Sequence, residues 1–243
     1  MSSDGGENLI KVVLVGETGV GKTSIISQFV DQIFEEELSS SVGGSFVSKN
    51  LVFNNGKIAK LQIWDTAGQE RYRALSKLFY TNAIIAILVY DITSQITFDE
   101  LKEYWINQIK ESATDDIILA IVGNKADLIE KEEVDEVEAR NFAKDNNAVF
   151  FRTSAKSSMG INKLFEDMTK KYYGWDENIN LIELHDGDTE KASDSNSDVN
   201  SSKEKSITLI RTRPYSNKIF IFKPKFISFI NKLMSSTNKF NII

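Results

Sequence analysis

The stretch GETGVGKTS at residues 16–24 directly follows the apolar run LIKVVLV at residues 9–15. Such a run reads as a buried strand, and three glycines with a lysine placed just after it cannot build core. The spacing G-x-x-x-x-G-K-[ST] is spelled by Gly16, Glu17, Thr18, Gly19, Val20, Gly21, Lys22 and Thr23, with Ser24 next. Glycines let consecutive backbone N–H groups converge on phosphate oxygens without a Cβ in the way, and a helix starting at Lys22 adds the partial positive charge of its N-terminus. Lys22 then supplies a point charge to the outer phosphates, and the Thr23 hydroxyl is a natural magnesium ligand. The bland alternative, a glycine-rich turn with an exposed lysine, does not require the whole pattern to stand between a strand and a helix.

Further apolar runs at residues 46–53, 57–64, 83–91, 117–123 and 148–153 predict five more strands, and NNGK at 54–57 predicts a tight antiparallel turn between the second and third. Helices are expected at 22–33, 71–80, 97–113, 135–146 and 160–173. Phe98, Leu101, Trp105 and Ile109 share one face, as do Ile161, Leu164, Phe165, Met168 and Tyr172; both stripes read as core-facing, with a partner groove as the alternative. The alternation implies a doubly wound, mostly parallel six-stranded α/β sheet with helices on both faces, and ligands at the carboxyl ends of its strands.

Composition excludes several chemistries. There is no cysteine and a single histidine, His185, so disulfides, thiolate sites, histidine metal clusters and catalytic triads are ruled out; any metal must be a hard, oxygen-liganded ion. The net charge is −6, yet residues 207–243 hold seven Lys and Arg and no acid, which leaves 35 acids against 22 bases, or −13, over residues 1–206. A body that acidic argues against a nucleic-acid surface. No stretch is long and apolar enough to span a bilayer, and the polar start MSSDGGEN is not a secretory signal, so a cytoplasmic protein is expected.

A phosphate cradle does not by itself separate ATP from GTP. IVGNKADL at residues 121–128 puts Asn124, Lys125 and Asp127 after a buried strand. A carboxylate accepts hydrogen bonds from the N1–H and exocyclic amine of guanine, whereas adenine offers an acceptor at N1, so Asp127 selects guanine. TSAK at 153–156 offers backbone N–H groups of Ser154, Ala155 and Lys156 to the guanine carbonyl, a weak signal alone that gains weight beside NKAD. In WDTAGQERY, residues 64–72, Asp65 is placed to hold the magnesium shell, the Gly68 N–H to touch a γ-phosphate and Gln69 to orient an attacking water.

Together these residues resemble the Ras superfamily of small GTPases over residues 8–175, and WDTAGQERY with YDIT at 90–93 resembles its Rab branch. SVGGSF at 41–46, NKADL and TSAKSSMGINKLF are most similar to the early-endosomal subgroup. The resemblance implies a P-loop GTPase domain binding Mg2+ and GTP or GDP, with slow hydrolysis that needs a GAP, tight binding that needs an exchange factor, and vesicle traffic as its setting. It also implies that Phe34 packs on the guanine edge and that Thr18 lies nearest the γ-phosphate. Ser41 replaces the family's switch threonine as the residue closing on magnesium; it keeps the hydroxyl but loses the methyl that fixes the rotamer, so a looser first switch is expected. The loops at 35–46 and 66–80 are the implied switches, and Phe46, Trp64 and Phe79 match the family's effector-binding aromatics, with plain core packing as the other reading of each. The runner-up function is a GTP-binding scaffold with little turnover; a P-loop ATPase or kinase is disfavoured by Asp127.

Past residue 175 the pattern changes. Residues 176–206 are expected to form a disordered acidic and Ser-rich linker, too poor in apolar side chains to offset chain entropy. Family members usually end in prenylated cysteines, and this chain ends FNII, which leaves membrane association open. In KFISFINKLMSS, residues 225–236, Phe226, Phe229, Ile230, Leu233 and Met234 share a helical face with lysines elsewhere, the pattern of an interfacial helix on the cytosolic side of endosomal or vesicle membranes. The alternative is an extension with no selected role.

Overall fold

A computed structural model describes residues 9–36, 44–66, 79–114 and 116–181. Ser41, Gly68, Gln69, the first eight residues of the helix expected at 71–80, and everything from residue 182 onward lie outside the described residues.

The six expected strands form: β1 (Leu9–Val15), β2 (Gly44–Val52), β3 (Ile58–Thr66), β4 (Ile85–Asp91), β5 (Ile118–Asn124) and β6 (Val149–Arg152). They lie in one sheet in the order β2-β3-β1-β4-β5-β6, antiparallel between β2 and β3 and parallel elsewhere. The NNGK turn closes as its sequence predicts: Gly56 takes φ +75° and its N–H reaches Phe53 O at 2.9 Å, while Asn55 Oδ1 accepts from the Lys57 N–H at 3.0 Å. Because β3 and β4 flank β1 on opposite sides, the order reverses at β1, and the loop after Val15 opens into the crevice where doubly wound sheets bind ligands.

Helices α1 (Lys22–Asp31), α2 (Gln95–Glu100), α3 (Ile106–Ser112), α4 (Glu136–Asp145) and α5 (Ile161–Tyr173) cover both faces. The pleat of β1 divides the core between them. Ile10, Val12 and Leu14 pack with Phe29 of α1 and with Leu164, Phe165 and Met168 of α5. Val13 and Val15 pack with Phe98 of α2, Ile106 and Ile109 of α3 and Ala139 of α4. Phe29 stacks on Phe165 with ring centroids 3.8 Å apart, tying α1 to α5. Phe98, Leu101, Trp105 and Ile109 are all wholly buried, as are Ile161, Leu164, Phe165 and Met168 to within 1%, and Tyr172 is partly buried against the same cluster, so both apolar stripes are core rather than partner grooves. Each such side chain contributes roughly 1.5–3 kcal/mol relative to exposure.

The predicted helix at 97–113 starts two residues earlier, at Gln95, and carries a π-helical turn at Leu101–Trp105 between α2 and α3. The extra residue per turn is invisible to a 3.6-residue periodicity. A 3₁₀ turn at Ala126–Lys131 has no counterpart among the predicted elements either; it follows Lys125, whose φ of +65° turns the chain sharply out of β5. Asp135 caps α4, its Oδ1 accepting from the Val137 and Glu138 N–H groups at 2.6 and 3.1 Å.

The packed body continues past the expected boundary at 175. Trp175 stacks on Tyr173 at 4.3 Å and meets the edge of Phe53 at 4.9 Å, and Lys57 lies over its ring. Asn54 N–H donates to Asn180 O at 2.8 Å, and Leu181 bridges Phe53 in antiparallel fashion. Residues 175–181 thus form a strap on the β2–β3 hairpin, where linker was expected from 176. A polar composition conceals it, because its docking rests on backbone bonds and three apolar side chains, Trp175, Ile179 and Leu181.

Candidate functional site

The loops after β1, β5 and β6 meet the segment after α1 and the last residue of β3, Thr66, around a cavity of about 400 Å³. Its walls include Thr18, Gly19, Gly21, Lys22, Thr23 and Ser24 from the first loop, Phe34 beyond α1, Asn124, Lys125 and Asp127 after β5, and Ala155 and Lys156 after β6. Residues separated by more than a hundred positions in sequence therefore line one cleft, as their motifs require. Glu17 lies at its edge, where Oε1 accepts from the Thr18 N–H at 2.9 Å. Val20 is fully buried and contributes through its backbone.

At one end the loop is shaped for an anion. Gly21 takes φ +96°, and a Cβ there would lie 2.4 Å from the Asn124 amide nitrogen, so the turn closes onto the neighbouring loop only with glycine. A Cβ at Gly19, φ +79°, would meet nothing within 4 Å, leaving open room above the loop. Lys22 is 6% exposed. Its Nζ donates to Gly16 O at 2.9 Å and Glu17 O at 2.8 Å. Burial pushes its pKa down to about 8, against the opposing pull of Asp65 and Glu17. A buried ammonium with two carbonyls for partners is well matched to an incoming phosphate. Thr23 Oγ1 donates to Asp65 Oδ2 at 2.8 Å, and Asp65 is 6% exposed. This hydroxyl and carboxylate are hard oxygen donors at the phosphate end, the donor set magnesium takes when it is shared with phosphates and water. Among the described residues no group of three or more His, Cys, Asp and Glu could cage a metal alone.

The other end is shaped for a flat, hydrogen-bonding ring. Ser154 Oγ donates to Asp127 Oδ1 at 2.6 Å and accepts from the Ser157 N–H at 3.0 Å, so the Asp127 carboxylate is fixed in orientation while its other oxygen keeps its lone pairs. Ser154 itself is wholly buried, a support rather than part of the lining. Asn124 Nδ2 donates to Val20 O at 2.9 Å, and its Oδ1 accepts from Thr153 Oγ1 at 3.1 Å. Ala126 N–H donates to Thr153 O at 3.0 Å, joining the two base-end loops. Phe34, half-buried, supplies an aromatic wall.

Sequence reasoning missed Asp91. It ends β4, is 7% exposed, and its Oδ2 lies 2.6 Å from Lys125 Nζ, while Oδ1 accepts from the Thr93 N–H and hydroxyl at 2.9 and 2.8 Å. The available signal was a lone acid closing an apolar strand in YDIT, which served only as a mark of resemblance. Glu36 was also missed; it lines the cavity and pairs with Lys156 at 2.6 Å.

Phe46, Trp64 and Phe79 form one aromatic run, with centroids 4.9 Å apart for the first pair and 5.8 Å for the second. All three are half-buried, neither wholly core nor wholly surface. Ser41, Gly68 and Gln69 lie outside the described residues.

The Ras family profile matches residues 11–174. The chain is 42% identical over 170 residues to Ras-related protein Rab-22A of Homo sapiens, covering 70% of this chain and 87% of that one. To the Mus musculus Rab-22A it is 41% identical over 169 residues, covering 70% and 86%. To GTP-binding protein ypt3 of Schizosaccharomyces pombe it is 40% identical over 179 residues, covering 74% and 83%.

Proposed function

We propose, from the premise that this chain belongs to the Ras family and within it to the Rab branch, an assignment of each step of a GTPase cycle to its residues. The protein is a small GTPase, a switch of vesicle traffic that hydrolyses GTP to GDP and phosphate. The single observation that carries the residue assignment is the pairing of a buried Lys22 at one end of the cleft with an oriented Asp127 at the other. The first addresses phosphate and the second guanine, a combination that adenine nucleotides do not satisfy.

In this reading the backbone of residues 17–24 and Lys22 hold the phosphates. Asp127 accepts from guanine, Phe34 and the Lys156 stem flank the ring, and the Ala155 and Lys156 N–H groups face its carbonyl, whereas the Ser154 N–H, expected to join them, instead donates to Met159 O at 3.0 Å. Thr23, Asp65 and, on GTP, Ser41 hold Mg2+, which supplies charge neutralisation at the outer phosphate oxygens. Gly68 senses the γ-phosphate and Gln69 orients the attacking water, so the chain's own chemistry is positioning rather than covalent. Single-turnover GTP hydrolysis, with and without a Rab-type GAP, tests this assignment. Acceleration by the GAP that disappears in Gln69→Leu supports it; turnover that ignores both refutes it, and negligible turnover with and without the GAP favours a GTP-binding scaffold.

The two phosphate-dependent loops would present Phe46, Trp64 and Phe79 to effectors when GTP is bound, with exchange factor and GAP as the remaining protein partners. We assign the basic, amphipathic residues 207–243 to an anionic membrane surface on the cytosolic side of an endosome or vesicle, the setting suggested by the Rab-22A relatives. Sedimentation of the full chain with and without residues 207–243 on anionic vesicles tests this; equal pelleting of both overturns it.

A further inference from the structure

Two lysines border the base end of the cleft, and each has an acidic partner that belongs to none of the nucleotide motifs. Lys125 is held by Asp91, whose side chain is only 10% exposed, in a fixed arrangement that also engages Thr93. Lys156 is held by Glu36 at 2.6 Å, but here the side chains are 56% and 72% exposed. This second pair spans the cleft. Glu36 follows Phe34 at the start of the segment implied as the first switch, Lys156 stands on the loop after β6, and the two are 120 residues apart in sequence while lining the same cavity.

We propose that the Glu36–Lys156 ion pair is a dissociable latch across the cleft mouth that slows nucleotide release and opens when residues 35 and 36 are drawn away. The proposal rests on the guanine-nucleotide reading of the cleft. An exposed pair adds little to folding stability because water and salt screen it. Its effect on release is a separate matter, since a ligand leaving the cleft must part the two walls that the pair joins. The segment carrying Glu36 is also the one that changes state with the γ-phosphate in this family, so its displacement and latch opening are one event. Lys156 keeps a second attraction when the latch opens: the Asp127 carboxylate also favours its charged form.

The experiment uses the full chain loaded with a fluorescent methylanthraniloyl-GDP at constant magnesium, with release followed after adding excess GDP. Glu36→Gln removes the charge and Glu36→Lys reverses it; the side chain is exposed, and thermal melts confirm folding. At about 0.05 M salt, Gln should release about two- to fivefold faster than the wild type and Lys faster still. At about 0.5 M salt, where the screening length is only a few ångströms, the three rates should converge. A Gln variant that matches the wild type at low salt, or differences that persist undiminished at high salt, overturn the latch alone. A wild-type chain that takes up no guanine nucleotide overturns the latch and the reading beneath it together.

Discussion

Lys22 offers a direct test of how the cleft is wired. With nucleotide absent, burial holds its pKa near about 8 against an ordinary 10.5. The folded state therefore binds the proton more weakly than the unfolded chain, and folding stability rises with pH wherever the unfolded chain is protonated and the folded one is not. That window runs from about 8 to 10.5, and its full span corresponds to about 3 kcal/mol at ~1.4 kcal/mol per tenfold. Between neutral pH and about pH 10 the expected gain is most of that span, about two to three kcal/mol. Other groups titrate in that range, so the quantity to measure is the difference between wild type and Lys22→Met in urea denaturation of the nucleotide-free proteins. Binding has the opposite sign. Phosphate oxygens restore the ammonium, so GDP uptake at about pH 9 should capture about one proton, read by calorimetry in buffers of different ionisation enthalpy, and affinity should weaken up to about tenfold per pH unit above 8. A flat difference curve together with no proton uptake would mean that Lys22 stays charged in the empty cleft, and would refute a phosphate site that recharges its lysine on binding.

Replacing Asp127 with Asn puts an amide donor against the guanine amine and removes two charge-assisted bonds, so GDP binding should fall about a thousandfold. Xanthosine diphosphate, which carries a carbonyl there, should bind better than GDP in competition titrations; unchanged GDP affinity contradicts the base assignment. Asp91→Asn leaves the cap on Thr93 possible but removes the countercharge of Lys125, and GDP release measured by stopped flow should quicken about five- to tenfold. Trp175→Ala removes two aromatic contacts of the strap and should cost about 2 kcal/mol in urea denaturation, with faster amide exchange at Asn54; protection of Asn54 equal to wild type would show that the strap is held by other means.

Much of the architecture was legible because its signals are local. Strand β1 and the start of α1 fall where an apolar run and a phosphate-loop spelling put them, and the β2–β3 turn forms where Asn55-Gly56 demands it. The residues of three separate motifs converge on one cleft, which periodicity and spacing could suggest only through the topology of a doubly wound sheet. What escaped was long-range. The π-helical turn before α3 adds a residue without changing the apolar pattern enough to be noticed. Asp91 and Glu36 carry no motif of their own, and their value lies in which lysine each one meets. The strap at 175–181 is a polar segment whose backbone finds partners on a hairpin more than a hundred residues earlier, a pairing no window of sequence contains.

Asn124 stands where the halves of the cleft touch. Its amide nitrogen serves the Val20 carbonyl in the phosphate loop, its oxygen serves Thr153 beside the base, and Gly21 packs so close to it that no larger residue fits. One planar group is thereby hinge pin to both ends, and a ligand that seats its ring also tightens the grip on its tail. The cleft consequently measures a nucleotide as a whole length, and a free base or a lone pyrophosphate, each engaging half of it, forfeits more affinity than its missing contacts alone would account for.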